Sequence, residues 1–193
     1  PEGAARELLA PVVDGLDRAE PVSPVVEVVT LVVDAPALDS APRGTGVLTV
    51  PGSHVAKALT HSTAKWDWVR DATDPGIHVV RVSFGAQGEE PATAPLDDEA
   101  AGALALSEAA ALLGVALPPS TLIASHRVRY VQSQPGAAIG RAAQAAAARG
   151  AVRAVPGLGA TGAWLSGTGL AQVIPDARDE ADRVRSATLW RRR

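Results

Sequence analysis

The chain has 193 residues, with 18 Lys or Arg against 21 Asp or Glu and a formal net charge of -3. At 47% hydrophobic and 20% charged residues, this is the composition of a folded globular chain, long enough for one domain or one and a half around a sizeable core. The lack of Cys excludes a disulfide framework, a thiolate metal site and a Cys nucleophile; the mildly acidic balance argues against nucleic-acid binding; no apolar run is long enough to span a membrane.

The first residues, Pro1-Glu2-Gly3, do not look like a signal peptide, and with no Met anywhere the chain is expected to be processed or a piece of something longer. Ala4 to Ala10 predicts a helix stopped by Pro11. Val25 to Val33, dense in β-branched residues and bounded by Pro24 and Pro36, predicts a strand buried on both faces. Val47 to Val50 and Val55 to Thr60 predict two short strands, and Pro51-Gly52-Ser53 between them suits a hairpin. Ile77 to Phe84 alternates, with His78, Val80, Val82 and Phe84 on one face.

Asp97 to Leu113 predicts the clearest helix: Asp97, Asp98 and Glu99 load the end where the dipole favours anions, and Gly114 suits a left-handed cap. Thr121 to Val131 predicts a long strand with Leu122, Ala124, His126, Val128 and Tyr130 on one face and Arg127 and Arg129 on the other. Arg141 to Arg149 predicts an alanine-rich helix closed by Gly150, and Ala151 to Trp164 an extended Gly-rich stretch. The last helix is expected from about Pro175 to Leu189, with an apolar stripe of Ala177, Ala181, Val184 and Thr188 and an Asp179–Arg183 pair. Hairpins mixed with helical crossovers predict an α+β fold, a mixed β-sheet with helices packed on it.

Candidate chemistry is sparse. His54 and His61 are seven residues apart in strand-like sequence, which puts them on opposite faces of a continuous strand, and no His-x-x-x-His spacing appears. No metal site is therefore expected, and His78 and His126 are read as core or pocket histidines with hydrogen-bond partners. Helix-end electrostatics accounts for Asp97-Asp98-Glu99 without catalysis. Leu165-Ser166-Gly167-Thr168-Gly169 has Trp164 where a nucleophile elbow needs its first Gly. Gly157-Leu158-Gly159-Ala160-Thr161-Gly162 matches G-x-G-x-x-G, but Pro156 precedes it and no helix pattern follows directly. It reads as a Gly-rich strand with turns rather than a pyrophosphate cradle. Gly167-Thr168-Gly169-Leu170 is more informative. A Gly-x-Gly turn leading to a helix N-terminus suits an electron-rich ring edge or an anion; a plain strand-to-helix turn is the other reading.

Four stretches in order resemble the C-terminal part of the oxygen-dependent protoporphyrinogen/coproporphyrinogen III oxidase family, which are amine-oxidase-like flavoproteins. Arg43-Gly44-Thr45-Gly46-Val47-Leu48-Thr49-Val50-Pro51 resembles that family's Gly-x-Gly-x-Leu-Val-Pro hairpin. Lys57-Ala58-Leu59-Thr60-His61-Ser62-Thr63-Ala64-Lys65-Trp66 is similar to its Lys-x-x-Thr-x-Ser-Ser-x-Lys-Trp block. Val80-Arg81-Val82-Ser83-Phe84-Gly85 resembles its Leu-Arg-Val-Ser-Phe-Gly strand, and Gly162 to Leu170 its closing flavin motif.

The resemblance implies the fold of the substrate-binding domain of these flavoproteins: residues 1–150 would be a portion of that domain, and 151–193 a strand and helix returning to an absent FAD-binding domain. It implies FAD as cofactor, with a porphyrinogen and oxygen as reactants and hydrogen peroxide as product. It also implies a cytoplasmic protein able to associate peripherally with membranes. Residue by residue, the flavin contact at the end of the long strand falls on Tyr130, and the closing loop on Thr168, Gly169 and Leu170. Two stretches depart from the family pattern: its Pro-Gln-Tyr reads Pro135-Gly136-Ala137, and its Pro-Asp-Cys reads Ala171-Gln172-Val173. With Pro175 where it would clash with the Ala171 carbonyl, the final helix is expected to start near Pro175, set back from the flavin edge. Lys57, Lys65, Arg81 and Arg129 are candidate partners for propionates, with cations of solvated faces as the equal alternative, and no residue stands out as a proton acceptor. The alternatives are a non-catalytic porphyrin- or partner-binding module on the same scaffold and a stand-alone dinucleotide-binding domain. An FAD-binding half upstream, or nicotinamide binding by this chain alone, would discriminate them.

Overall fold

The computed structural model describes residues 2–16, 24–86, 88–131 and 140–189. In chain order these form α1 (Glu2–Leu9), β1 (Val25–Asp34), β2 (Gly46–Leu48), β3 (Ala58–His61), α2 (Ser62–Lys65), α3 (Asp67–Arg70), β4 (Ile77–Phe84), α4 (Asp98–Leu113), β5 (Leu122–Val131), α5 (Arg141–Ala154), α6 (Ala163–Ser166) and α7 (Leu170–Leu189). They fall into two compact units, one of Pro24–Gln132 and one of Pro1–Ser23 with Ser133–Arg193.

The first unit is a five-stranded sheet in the order β2-β3-β4-β1-β5 with α4 packed on it. The α+β class holds, but the sheet is antiparallel throughout rather than mixed. The α4 crossover does join two parallel strands, β4 and β5, but β1 lies between them and pairs antiparallel with both. The β2–β3 hairpin forms as expected, with shorter strands than predicted. In β1, Val26, Val28, Val29, Leu31 and Val33 are all buried, from both faces.

Under α4 the core joins Val29, Leu31 and Val33 of β1 to Val80, Val82 and Phe84 of β4 and to the helix's Ala101, Ala105, Ala109 and Leu112. The helix begins with the Asp97 carboxylate accepting from the Ala100 N–H at 2.8 Å and closes on Gly114 in the left-handed conformation. Glu27 is buried beneath it, bonded to Thr93 at 2.6 Å and Arg129 at 3.0 Å, with Arg127 at 3.6 Å. One charged donor, a hydroxyl and a second guanidinium at ion-pair distance offset the cost of burying that carboxylate.

Gly85 ends β4 at φ +97°; a Cβ there would overlap the Val25 carbonyl oxygen and sit 2.9 Å from Pro91 Cγ. Both the backbone conformation and the space require glycine. Gly85→Ala is expected to lower stability by about 2 kcal/mol, read as a drop in the urea midpoint at unchanged m-value.

In the second unit Val13, Leu16, Ala148, Val152 and Trp164 form the core. α5 passes through Gly150 to Ala154, because Ala148 and Val152, four residues apart, both pack into that core and hold the helix together across the glycine. The G-x-G-x-x-G segment therefore follows a helix rather than being a strand. α7 starts at Leu170, not near Pro175, which lies inside it. The Gln172 and Val173 N–H groups both bond the Gly169 carbonyl at 3.1 Å, so the first turn closes before the proline is reached. The proline then forgoes only the one bond to the Ala171 carbonyl. The buried side chain of α7 is Glu180, 2% exposed, while Ala181 and Thr188 of the expected stripe are exposed. Arg183 pairs with Glu180 at 2.7 Å rather than with Asp179.

Candidate functional site

Two regions carry the residues the sequence singles out, one in each unit. In the unit containing α7, Gly169 caps the helix at φ +107°, and nothing lies within 4 Å of where a Cβ on it would sit. The amides of Thr168, Gly169, Leu170 and Ala171 donate to no acceptor among the described residues. Unpaired N–H groups at a helix start carry its partial positive charge, so the loop presents donors to an electron-rich or anionic group. Thr168, Gly169 and Leu170 are all exposed, Leu170 at 74%.

Tyr130 lies in the other unit, near the end of β5, opposite Val26 and 44% exposed. The register sets it on the sheet face opposite α4. Four polar residues form a row across that same face: Thr60 pairs with Arg81, Arg81 with Thr30, and Thr30 with His126. Arg81 has no hydrogen-bond or ion-pair partner among the described residues. The other candidate cations differ. Arg129 is committed to Glu27 and Glu90 beneath the sheet, Lys65 stacks 4.8 Å from the Trp66 ring centroid, and Lys57 is exposed. Pro135-Gly136-Ala137 lies outside the described residues.

The histidines are distributed otherwise than the spacing suggests. His54 sits in the turn before β3, outside any strand, and bonds only Ser53 at 3.1 Å. His126 is exposed on β5, because edge strand β5 carries its arginines, not this face, toward the helix. His78 is buried and bonded as expected, but its partners were not legible. Its Nε2 lies 3.1 Å from Asp39 Oδ1, and its Nδ1 is 3.0 Å from His61 Nε2 and 3.1 Å from Thr63 Oγ1. Alternation put His78 on the face of Val80, Val82 and Phe84; the strand predicted over Val55 to Thr60 stopped short of His61, and the β3–β4 register, with His61 opposite Val80, brings the two together.

Burial, and then the neighbouring His78, push the His61 pKa down to about 4. His61 Nδ1 is buried with no partner. Among the described residues no group of three His, Asp or Glu is arranged to hold a metal ion, and no helix is long and apolar enough to cross a membrane.

No family model and no curated protein matches this chain. Among solved structures, it is similar to a protein from Exiguobacterium sp. 255-15 that carries the provisional name protoporphyrinogen oxidase: TM-score 0.68 and 21% identity over 97% of this chain. It is also similar to reduced UDP-galactopyranose mutase, with TM-score 0.51 and 14% identity over 69% of this chain. The chain spans 39% and 26% of the length of those two proteins. Its fold is thus that of a part of each of these larger proteins.

Proposed function

We propose that the chain is the substrate-domain portion of an FAD-dependent porphyrinogen oxidase, completed by an FAD-binding half outside this sequence. The observation that carries this reading is the run of four unpartnered amides from Thr168 to Ala171, around a glycine with open space beside it. The fold likeness over nearly the whole chain supports the same reading.

These residues fit the flavin. Gly169 would let the ring edge approach the backbone, and the free amides would meet its electron-rich atoms, with Leu170 as an apolar contact. When bound, FAD would take hydride equivalents from the macrocycle and pass electrons to oxygen with release of hydrogen peroxide. The chain's own contribution is to bind and orient. The sheet face of Tyr130, Thr30 and Thr60 offers a surface for the macrocycle, and unpaired Arg81 a cation for one of its carboxylates.

The test is a matched pair of glycines in the protein that includes the FAD-binding half. Gly157 and Gly169 both have positive φ, +80° and +107°, and both have open space at the Cβ position. Valine at either costs a similar backbone strain. Gly169→Val is expected to retain less than about a tenth of the bound FAD, because the side chain fills the space the ring needs, while Gly157→Val keeps nearly all of it. FAD per protein and far-UV circular dichroism on both variants give the answer. Full FAD in Gly169→Val with loss in Gly157→Val would make the G-x-G-x-x-G segment the nucleotide site instead.

A further inference from the structure

One group on the open face of the sheet has no place in the function proposed above. His126 is exposed on β5 and bonds nothing among the described residues. The register sets it at the end of the row that crosses four strands, from Thr60 of β3 through Arg81 of β4 and Thr30 of β1. Arg81 and the hydroxyls of Thr30 and Thr60 are likewise without partners among the described residues, and these three side chains are half-buried.

The row differs from what stands beside it. On one side, Val28 lies between Ser83 and Val128; on the other, Val32 lies between Val79 and Ala124. Ser83 alone among these is polar. Of the five strands only β1 carries acids. Glu27 is buried beneath the sheet with Arg129, and Asp34 stands four residues beyond Thr30, ~13 Å along the strand. Every member of the row can donate a hydrogen bond: the guanidinium has donors only, each hydroxyl has one, and the imidazole keeps an N–H whether neutral or charged. A stripe of donors on an apolar face, with no carboxylate near it, is complementary to an anion, and a half-buried guanidinium is costly until one meets it.

The length of the row says how many anionic groups it takes. Arg81 and His126 lie opposite Thr30 on the two strands that flank β1, so their backbones are two strand spacings apart, ~10 Å. A single carboxylate held at Arg81 leaves the other end unmet. We propose that the row holds two carboxylates carried on neighbouring corners of one flat ligand, one by Arg81 with Thr60 and the other by His126 with Thr30.

This inference rests on the reading of the open face as the macrocycle surface, and adds a second anchor, His126, and a direction. The anionic edge of the ligand runs across the strands. Its body covers Val28 and Val128, on the side where Tyr130, aromatic and 44% exposed, gives it a ring to stack on. A ligand with one carboxylate satisfies half of the row, and a cation is repelled by Arg81.

The experiment titrates the full chain with three flat probes: a biphenyl dicarboxylate with one carboxylate at each end, the biphenyl monocarboxylate and biphenylmethanol. The ring ¹⁵N resonances of His126 and the Nε–H resonance of Arg81 are followed. The dicarboxylate is expected to shift both together, saturably and in the millimolar range, and to bind at least roughly fivefold more tightly than the monocarboxylate. Biphenylmethanol is expected not to saturate. His126→Leu, an exposed change, should bring the dicarboxylate down to the affinity of the monocarboxylate and leave the latter unchanged, whereas Arg81→Gln should weaken both roughly tenfold. A merely structural role for His126 would not separate the two ligands. Equal binding of both in the parent chain, a shift confined to one of the two residues, an undiminished advantage of the dicarboxylate in His126→Leu, or no saturation by either carboxylate overturns the proposal. None of these readouts involves flavin, so the glycine-pair test can fail with the row intact, and the row can fail with FAD still bound.

Discussion

Glu180→Gln is expected to destabilise the α5–α7 unit by about 4 kcal/mol, within the range for breaking a buried ion pair from one side. Glu180 is 2% exposed, and it meets Arg183 at 2.7 Å, Arg153 at 2.8 Å and Arg149 at 3.8 Å. Removing its charge leaves the arginines of α5 and α7 facing one another as like charges, with only Asp176, on Arg149, to offset them among the described residues. The hydrogen bond from Arg183, then that from Arg153, hold the Glu180 pKa down to about 2 against burial, which raises it. Stability from this group is complete above its ordinary value of 4.5 and is lost as pH falls from there toward 2. Asp182→Asn, in an exposed pair with Arg185 on the same helix, is the control and should change stability by less than about 0.5 kcal/mol. Amide hydrogen exchange in α5 and α7 separates the two. Unchanged protection in Glu180→Gln would mean that the cluster only decorates the helix interface.

The second large effect lies in a higher pH window and in the other unit. The His61 pKa is depressed from 6.5 to about 4, so the unfolded chain takes up its proton first as pH falls. The neutral buried ring contributes full stability above 6.5, and about 3 kcal/mol of it should be lost between pH 6.5 and 4, with no further loss below. His61→Leu removes that titration. Thr63 still serves His78 Nδ1, so the variant should lie within about 1 kcal/mol of the parent at pH 7.5 and become the more stable chain at pH 4.5. Urea midpoints against pH for both chains test this. Parallel curves through pH 6.5 to 4 would refute it.

What could be read from sequence was whatever is encoded locally. α4 carries its own caps in Asp97 and Gly114, and β4 its alternation; both appear as expected. Helix ends that depend on tertiary packing were misplaced. Gly150 is a stop signal overridden by Val152 in the core, and Pro175 a start signal overridden by the Gly169 turn. The loop at Thr168 to Leu170 was legible because glycine spacing is local. The His61–His78–Asp39 chain was not, since it needs a strand register and a carboxylate 39 residues from its histidine. Likewise Glu180 is buried only because α5 presents Arg149 and Arg153 to it.

The strand order has a consequence for how the chain folds. β1 is made before both of its neighbours in the sheet, β4 and β5, and Glu27 waits for Arg129, 102 residues later. During synthesis, β1 therefore exists as a long, β-branched apolar segment before its second neighbour has left the ribosome. Such segments pair with other copies of themselves. Glu27 is the one charge between Val25 and Val33, at the point where such pairing would stack like charges in dry surroundings. The carboxylate that β5 neutralises in the finished sheet thus guards the nascent strand, and Glu27→Gln would be felt first as lost soluble yield.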